Sequence, residues 1–298
     1  MSVLAPILAV LLLAWCVSVL DAWMTTGRFR PLAPLTATLA LVAGESLVPR
    51  KPDRLFFETA PVLLLLAAVL AAAVLPIAPG LVITDLATGA LFVNAALAYV
   101  LVALLMAGWG PDGAYAMIGG WRFLGQTIAY SMLIVMPITA VAMRTQSLLT
   151  TDIVRSQAGL WNVLYQPLGF VLFFAAAMAV SFLPPFDLPT AAGELAGGVE
   201  AEYTGARRAI FRVGRTILIV SLATATTVFY LGGWLGPWLP SWLWSALKTL
   251  AVAAAMLAAG HTVPRLREAH LLAWTWKAGI PLALLNIFLV GVLLLVIP

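Results

Sequence analysis

Eight runs of about 20 predominantly apolar residues fill most of this chain, and that pattern fixes its solvent before anything else is read. They lie near residues 3–22, 56–77, 86–107, 115–142, 159–183, 209–234, 241–260 and 278–297. About 30 Å of hydrocarbon is crossed at 1.5 Å per helical residue, so each run is long enough to span a bilayer. Leu, Ala and Val dominate, and the alternation of a barrel strand is absent, so every run is expected to be helical. With 63% hydrophobic and 9% charged residues, the composition lies outside the range of soluble domains. The expected fold is all-α: one polytopic membrane bundle of eight transmembrane helices over residues 1–298, with an interfacial helix besides. The first run lacks a basic leader and a cleavage site before Asp21, so it reads as a retained span.

The Lys and Arg distribution orients the bundle. The first connection holds Arg28, Arg30, Arg50, Lys51 and Arg54; the fifth holds Arg207 and Arg208; the seventh holds Arg265, Arg267 and Lys277. These three are expected on the cytoplasmic side of the cell (inner) membrane. The second and sixth carry no Lys or Arg, and the fourth only Arg144 and Arg155, which turns both termini outward. Trp234, Trp238, Trp242 and Trp244 surround the sixth connection as an outer aromatic belt would.

That distribution already accounts for the net charge of +4, and no basic nucleic-acid module accompanies it, so nucleic acid is excluded as a partner. Cys16 stands alone, and His261 and His270 lack partners at ligand spacing, so no disulfide, zinc or iron–sulfur motif is available. The chain is expected to bind no cofactor. Only Arg122 and Lys248 carry charge well inside a span, the latter expected to snorkel outward. Gln126, Asn162, Gln166, Thr226 and Asn286 read as hydrogen-bonding residues between helices.

In the long first connection, Leu32, Leu35, Leu39 and Val42 recur at helical spacing until Pro49, as in a helix lying in the membrane interface over residues 32–48; a short buried helix fits the pattern equally well. Residues 184–205 gather Asp187, Glu194, Glu200 and Glu202, a third of the chain's 12 acids, into one loop. Such a concentration of carboxylates marks the candidate functional region. Asp187 suits an N-cap with Pro189 in the first turn, and Gly197-Gly198 suits a stop, so a short helix over 188–196 displaying Glu194 is expected. On the following span Arg208, Arg212 and Arg215 share a face at i, i+4 and i+7, where cations oppose the helix dipole. Either lipid phosphates or the carboxylates of the loop must offset them.

The loop carries a resemblance. PFDLP, GEL and AEYTG within it are similar to the signature loop of the H subunit of bacterial NADH:quinone oxidoreductase, complex I. Collinear with it are Asp85-Leu86, AGWG at 107–110, Tyr115-Ala116, Arg122, Gln126-Thr127-Ile128, GLWN at 159–162, QPLGF at 166–170, and Pro264-Arg265 to Trp276-Lys277. Together they run from about Gly27 to Asn286.

The resemblance implies a subunit that anchors the membrane arm to a peripheral redox arm and helps wall the chamber where quinone, the substrate, is reduced. Iron–sulfur clusters and any flavin would belong to partner subunits, alongside other membrane-arm subunits and the lipid bilayer. Carried over, Asp187, Glu194, Glu202 and Tyr203 belong to the loop at the chamber and subunit contact. Glu45 matches an acid at the end of the interfacial helix, Arg265 and Arg267 match basic positions of the seventh connection, and Glu200 is placed at the subunit contact. The first span and the interfacial helix would border a quinone entrance from the bilayer. The isolated chain is expected to be inactive.

The departures share a direction. Ser131 replaces a family glutamate; Val180, Ser181, Phe182 and Leu183 replace Glu-Thr-Asn-Arg; Pro189, Thr190, Ala191 and Ala192 replace Pro-Glu-Ala-Glu; Ala269 and His270 replace Asp-Gln. In the first connection Ala37, Ala40 and Gly44 stand for usual charges, and an arginine-rich Pro-Gly-Pro-Asn segment is missing. Altered proton coupling is therefore expected. Two other readings are the membrane anchor of an energy-converting hydrogenase and a structural paralogue without coupling function. A free-standing transporter would need broken helices and repeat symmetry, which the sequence does not present.

Overall fold

The computed structural model describes residues 4–296, and among them every regular element is helical. In chain order these are α1 (Leu4–Thr26), α2 (Ala33–Ala43), α3 (Arg54–Ala73), α4 (Gly89–Trp109), α5 (Ala114–Thr145), α6 (Thr150–Arg155), α7 (Asn162–Tyr165) and α8 (Pro167–Val180). There follow α9 (Ala192–Leu195), α10 (Gly205–Tyr230), α11 (Ser241–Thr262), α12 (Glu268–Trp274) and α13 (Ile280–Val296). A π-helical stretch, Thr275–Gly279, joins the last two into one apolar rod, Glu268–Val296.

Seven of the described helices are long and apolar enough to cross a membrane: α1, α3, α4, α5, α10, α11 and the α12–α13 rod. The expected span at 159–183 is interrupted. Its helical part, α8, has 14 residues and reaches only about 21 Å. Gln166 at its start has φ −139° and ψ 69°, outside the helical region, and Pro167 cannot continue the amide ladder of α7. Polar side chains hold the broken segment instead. Gln157 Nε2 donates to Val228 O (2.8 Å), Asn162 Nδ2 to Phe229 O (2.7 Å), and Asn286 Nδ2 to Gln166 Oε1 (3.2 Å).

At the centre lies α10, whose residues from Ile217 to Tyr230 are all buried. It packs on α3, α11, α2, α1 and α8. Its C-terminal end is closed by Lys248, whose ammonium donates to Leu231 O (2.7 Å), Gly233 O (3.2 Å) and Leu235 O (2.7 Å). It also stands 4.2 Å from the Trp161 ring centroid. The expected snorkelling is thus corrected: Lys248 is only 7% exposed, because bare carbonyls at a helix C-terminus attract a cation inward.

The connections gather into two groups. The first, third, fifth and seventh meet at one end: Leu47 N donates to Thr204 Oγ1 (2.8 Å), Asp53 N to Gly110 O (2.8 Å), and Leu266 N to Pro185 O (3.1 Å). The second, fourth and sixth meet at the other, where Thr150 Oγ1 donates to Val74 O (2.7 Å) and Gly232 N to Gln157 Oε1 (2.9 Å). Between these groups runs α8, with Pro167 beside the second and Val180 beside the first.

The helix expected over 32–48 forms as α2 but ends at Ala43. Leu32, Leu35, Leu39 and Val42 are each about half exposed or more, Leu35 lining a groove with Leu11, Ala14 and Ile217, while Pro34 is buried. After Gly44 the chain is extended and passes so close to the start of α10 that a Cβ on Gly205, where φ is +60°, would stand 2.9 Å from Ser46 Cα.

Candidate functional site

The acidic loop folds over the end of α5. At Gly119 a Cβ would meet Pro189 O at 2.5 Å, so only glycine lets the loop lie this close. Further along α5, Gln126 reaches into the loop's root: its Nε2 donates to Ala179 O (2.8 Å) and Phe186 O (2.9 Å). The helix expected over 188–196 is reduced to one turn, Ala192–Leu195. Asp187 does not cap it. Arg265 takes the carboxylate instead, with Nη2 at 2.9 Å from Oδ2, and a guanidinium brings a full opposite charge where a cap amide brings only a partial one. The stop falls where expected, with Ala196, Gly197 and Gly198 all at positive φ.

The loop's carboxylates divide. Asp187 and Glu200 face inward and, with Thr190, Arg208, Arg215 and Arg265, line a cavity of about 410 Å³. Glu200 Oε1 is 3.8 Å from Arg215 Nη1. Arg215 also donates to Phe182 O (2.8 Å), with its guanidinium 4.6 Å from the Phe182 ring centroid. Glu194 and Glu202 face outward. Glu194 Oε2 accepts from Arg122 Nη1 (2.8 Å), and Glu268 Oε2 stands 3.9 Å from Arg122 Nε, so one arginine ties the loop to α12. The Glu202 carboxylate lies beside Gly113, at the turn between α4 and α5. Glu45 and Arg267 are exposed at the same end and make no ion pair with any described residue.

Tyr203 stands apart from the cavity. It is fully buried beneath the loop, stacked on Phe57 (4.7 Å, interplanar angle 15°) and tilted against Phe211 (5.7 Å). Burial pushes its phenol well above the usual tyrosine value, the Glu58 charge adds to the rise, and Arg207 opposes it. Its hydroxyl finds no partner among the described residues.

Composition and motif did not bring out two pairings. Glu58, four residues after Arg54, takes a two-pronged bond from Arg207, with Nη2–Oε1 at 2.6 Å and Nε–Oε2 at 2.7 Å. Arg207 also bonds Ser46, which locks the first connection to the start of α10. Asp21 and His261 line a second cavity of about 280 Å³, walled by Val17, Leu183, Ile219 and Leu257 and sharing Arg215 with the first. An acid and a histidine at span ends were the available signals. No group of three or more His, Cys, Asp or Glu among the described residues is placed to hold a metal ion.

A helical bundle with loops gathered over charged and apolar cavities at one end defines a multi-pass membrane protein. The sequence model described as NADH dehydrogenase matches residues 3–291. The H subunit of NADH-quinone oxidoreductase from Syntrophotalea carbinolica is 37% identical over 270 residues, covering 88% of this chain and 81% of that protein. An H subunit from Geobacter metallireducens is 37% identical over 278 residues (90% and 84%), and the H subunit from Bacillus cytotoxicus 34% over 271 residues (90% and 81%). The chain belongs to the family of NADH-quinone oxidoreductase H subunits, the membrane-protein family that its loop motifs resemble.

Proposed function

We propose that this chain is the membrane subunit of a complex I-like quinone oxidoreductase, that it walls part of the quinone-reduction chamber, and that it anchors the peripheral redox arm. One observation carries the reading: the cavity between α1, α10 and α11, where Val17, Leu183, Ile219 and Leu257 stand beside Asp21, Arg212 and His261, shares Arg215 with the polar cavity under the acidic loop. A quinone has a polar ring and an apolar tail, and needs this sequence of surroundings between bilayer and electron donor. Reduction takes up two protons, so a carboxylate near the ring feels the change in charge. Asp187 and Glu200 are the acids on the cavity wall, and Arg265 holds Asp187. The outward Glu45, Glu194, Glu202 and Arg267 offer the exposed polar contact for the peripheral arm, and Tyr203 stiffens the loop from below. The electron carriers belong to partner subunits.

In the proposed topology both termini face outward and the acidic loop is cytoplasmic, with α7 and α8 completing an eighth, interrupted crossing. Its support is the gathering of odd and even connections at opposite ends, together with the Arg and Lys bias. Altered coupling rests on Ser131 and on the way the polar side chains inside the bundle are occupied. Gln126, Asn162 and Lys248 all donate to backbone carbonyls.

The test uses the purified native complex. NADH-driven quinone reduction is expected, slowed by Glu200→Gln at unchanged subunit content. Glu194→Gln and Glu202→Gln are expected to loosen the peripheral arm. Hydrogen evolution from reduced ferredoxin without quinone, or full turnover in Glu200→Gln, contradicts the proposal.

A further inference from the structure

Mid-membrane, most spans turn only carbon outward: Leu11 and Leu12 on α1, Val62 and Leu66 on α3, Leu285 and Phe288 on α13. Where a hydroxyl is exposed on a span, as at Thr59 of α3 or Thr139 of α5, it donates to a carbonyl of its own helix. On α4 two polar side chains break this pattern. Asn94 is partly exposed and Tyr99 is 53% exposed, and neither side chain makes a hydrogen bond with any described residue.

Both lie deep. Tyr99 is at the middle of Gly89–Trp109, about 15 Å from either end at 1.5 Å per residue, and Asn94 is about 7 Å from the Gly89 end. The 21 residues of α4 match the thickness of the hydrocarbon layer, and at the loop end Trp109 stands 6.4 Å from the Trp121 ring of α5, as aromatic residues do at a membrane interface. From those depths neither an amide nor a phenol reaches water, and lipid tails offer no hydrogen-bond partner.

Between the two polar groups the surface is shaped for a close neighbour. At helical spacing Leu91, Ala95, Ala98 and Val102 form the outward line of α4, all exposed, with Asn94 on one flank and Tyr99 on the other. Ala95 and Ala98 let another backbone approach closely, and the polar groups then stand on either side of it.

We propose that this face of α4 packs against a transmembrane helix of a companion membrane subunit, which crosses at Ala95 and Ala98 through a small residue and offers a hydrogen-bonding side chain at the depth of Asn94. The proposal rests on the reading of this chain as one subunit of a larger membrane complex, and not on quinone chemistry. The face is also separate from the cavities beside α1 and α11, since α4 packs on α3 and α5.

The test is photo-crosslinking in the whole native complex, with Ala98 replaced by benzoylphenylalanine and, as a control, Leu285 of α13 replaced in the same way. The probe at position 98 should join this chain to a different membrane subunit, identified by mass spectrometry, whereas the probe at position 285 should label lipid. In the complex without the probe, Asn94→Leu should raise the fraction of particles that lose the identified subunit in detergent about threefold, the size expected for one interhelical hydrogen bond. Asn94→Gln should restore retention, and Ala98→Phe, which blocks the close approach and leaves Asn94 in place, should also cause loss. Labelling of lipid alone or of a second copy of this chain from position 98, or unchanged retention in both Asn94→Leu and Ala98→Phe, overturns the proposal. Quinone reduction is measured separately, so a failed crosslink and a failed redox reading are told apart.

Discussion

Arg265 Nη2 lies 2.9 Å from Asp187 Oδ2, and the two partners are unequally solvated: the carboxylate side chain is 9% exposed, the guanidinium 52%. The pair joins the acidic loop to the connection after α11. Because the acid is the desolvated member, removing its partner harms more than removing the acid. Arg265→Ala is expected to lower stability by about 1–3 kcal/mol, kept modest by the exposure of the guanidinium, and Asp187→Asn by less. Thermal unfolding of the purified complex, with the double variant closing the cycle, measures the coupling.

Tyr203 contributes area, not its hydroxyl. Tyr203→Phe keeps the stack on Phe57 and Phe211 and removes a polar atom without a partner, so stability is expected to hold within about 0.5 kcal/mol. Tyr203→Ala opens a cavity worth about 3–5 kcal/mol. The sign of the pH effect follows from the raised phenol. Its contribution is whole below the unfolded tyrosine value near 10 and is lost as pH rises beyond it. Alkaline unfolding of Tyr203→Phe should therefore begin at higher pH than that of the wild type.

Gln126 is the peg between α5 and the root of the loop. Gln126→Leu leaves the Ala179 and Phe186 carbonyls without their shared donor, an expected cost of about 1–3 kcal/mol. Limited proteolysis within residues 184–205 should speed up before any change in the far end of the bundle.

Lys248 holds three carbonyls at the end of α10. Lys248→Met is expected to cost about 2–4 kcal/mol, since bonds to a charged donor exceed neutral ones. Turnover per assembled complex should stay unchanged. A fall in turnover at full assembly would make Lys248 part of the reaction path instead of a cap.

Apolar length was readable wherever a run was uninterrupted, as in α4 or α11. The run at 159–183 misled because hydropathy averages over Gln166-Pro167, where the helix breaks, and over Asn162, whose hydrogen bond to Phe229 fixes the break. Lys248 misled for a related reason: snorkelling assumes water is the best partner, and here bare carbonyls 13–17 residues away in sequence are better placed. In the loop, the positive-φ stop at Ala196-Gly197-Gly198 was legible from local chemistry. The choice of Asp187 between capping and Arg265 was not, because a tertiary contact across 78 residues decides it. The same limit hid the inward turn of Glu200 and the burial of Tyr203. The resemblance grouped Asp187, Glu194, Glu202 and Tyr203 at one place and Glu200 at the subunit contact; the fold sets Asp187 and Glu200 on a cavity wall, Glu194 and Glu202 outside it and Tyr203 beneath the loop.

The most direct measurement of the central claim is photolabelling of the assembled complex with an azido-quinone, followed by mapping of the labelled peptides. Labelling confined to residues 183–219 and the facing parts of α1 and α11, and abolished by excess unlabelled quinone, is the predicted result. Competed labelling that leaves this chain untouched contradicts it.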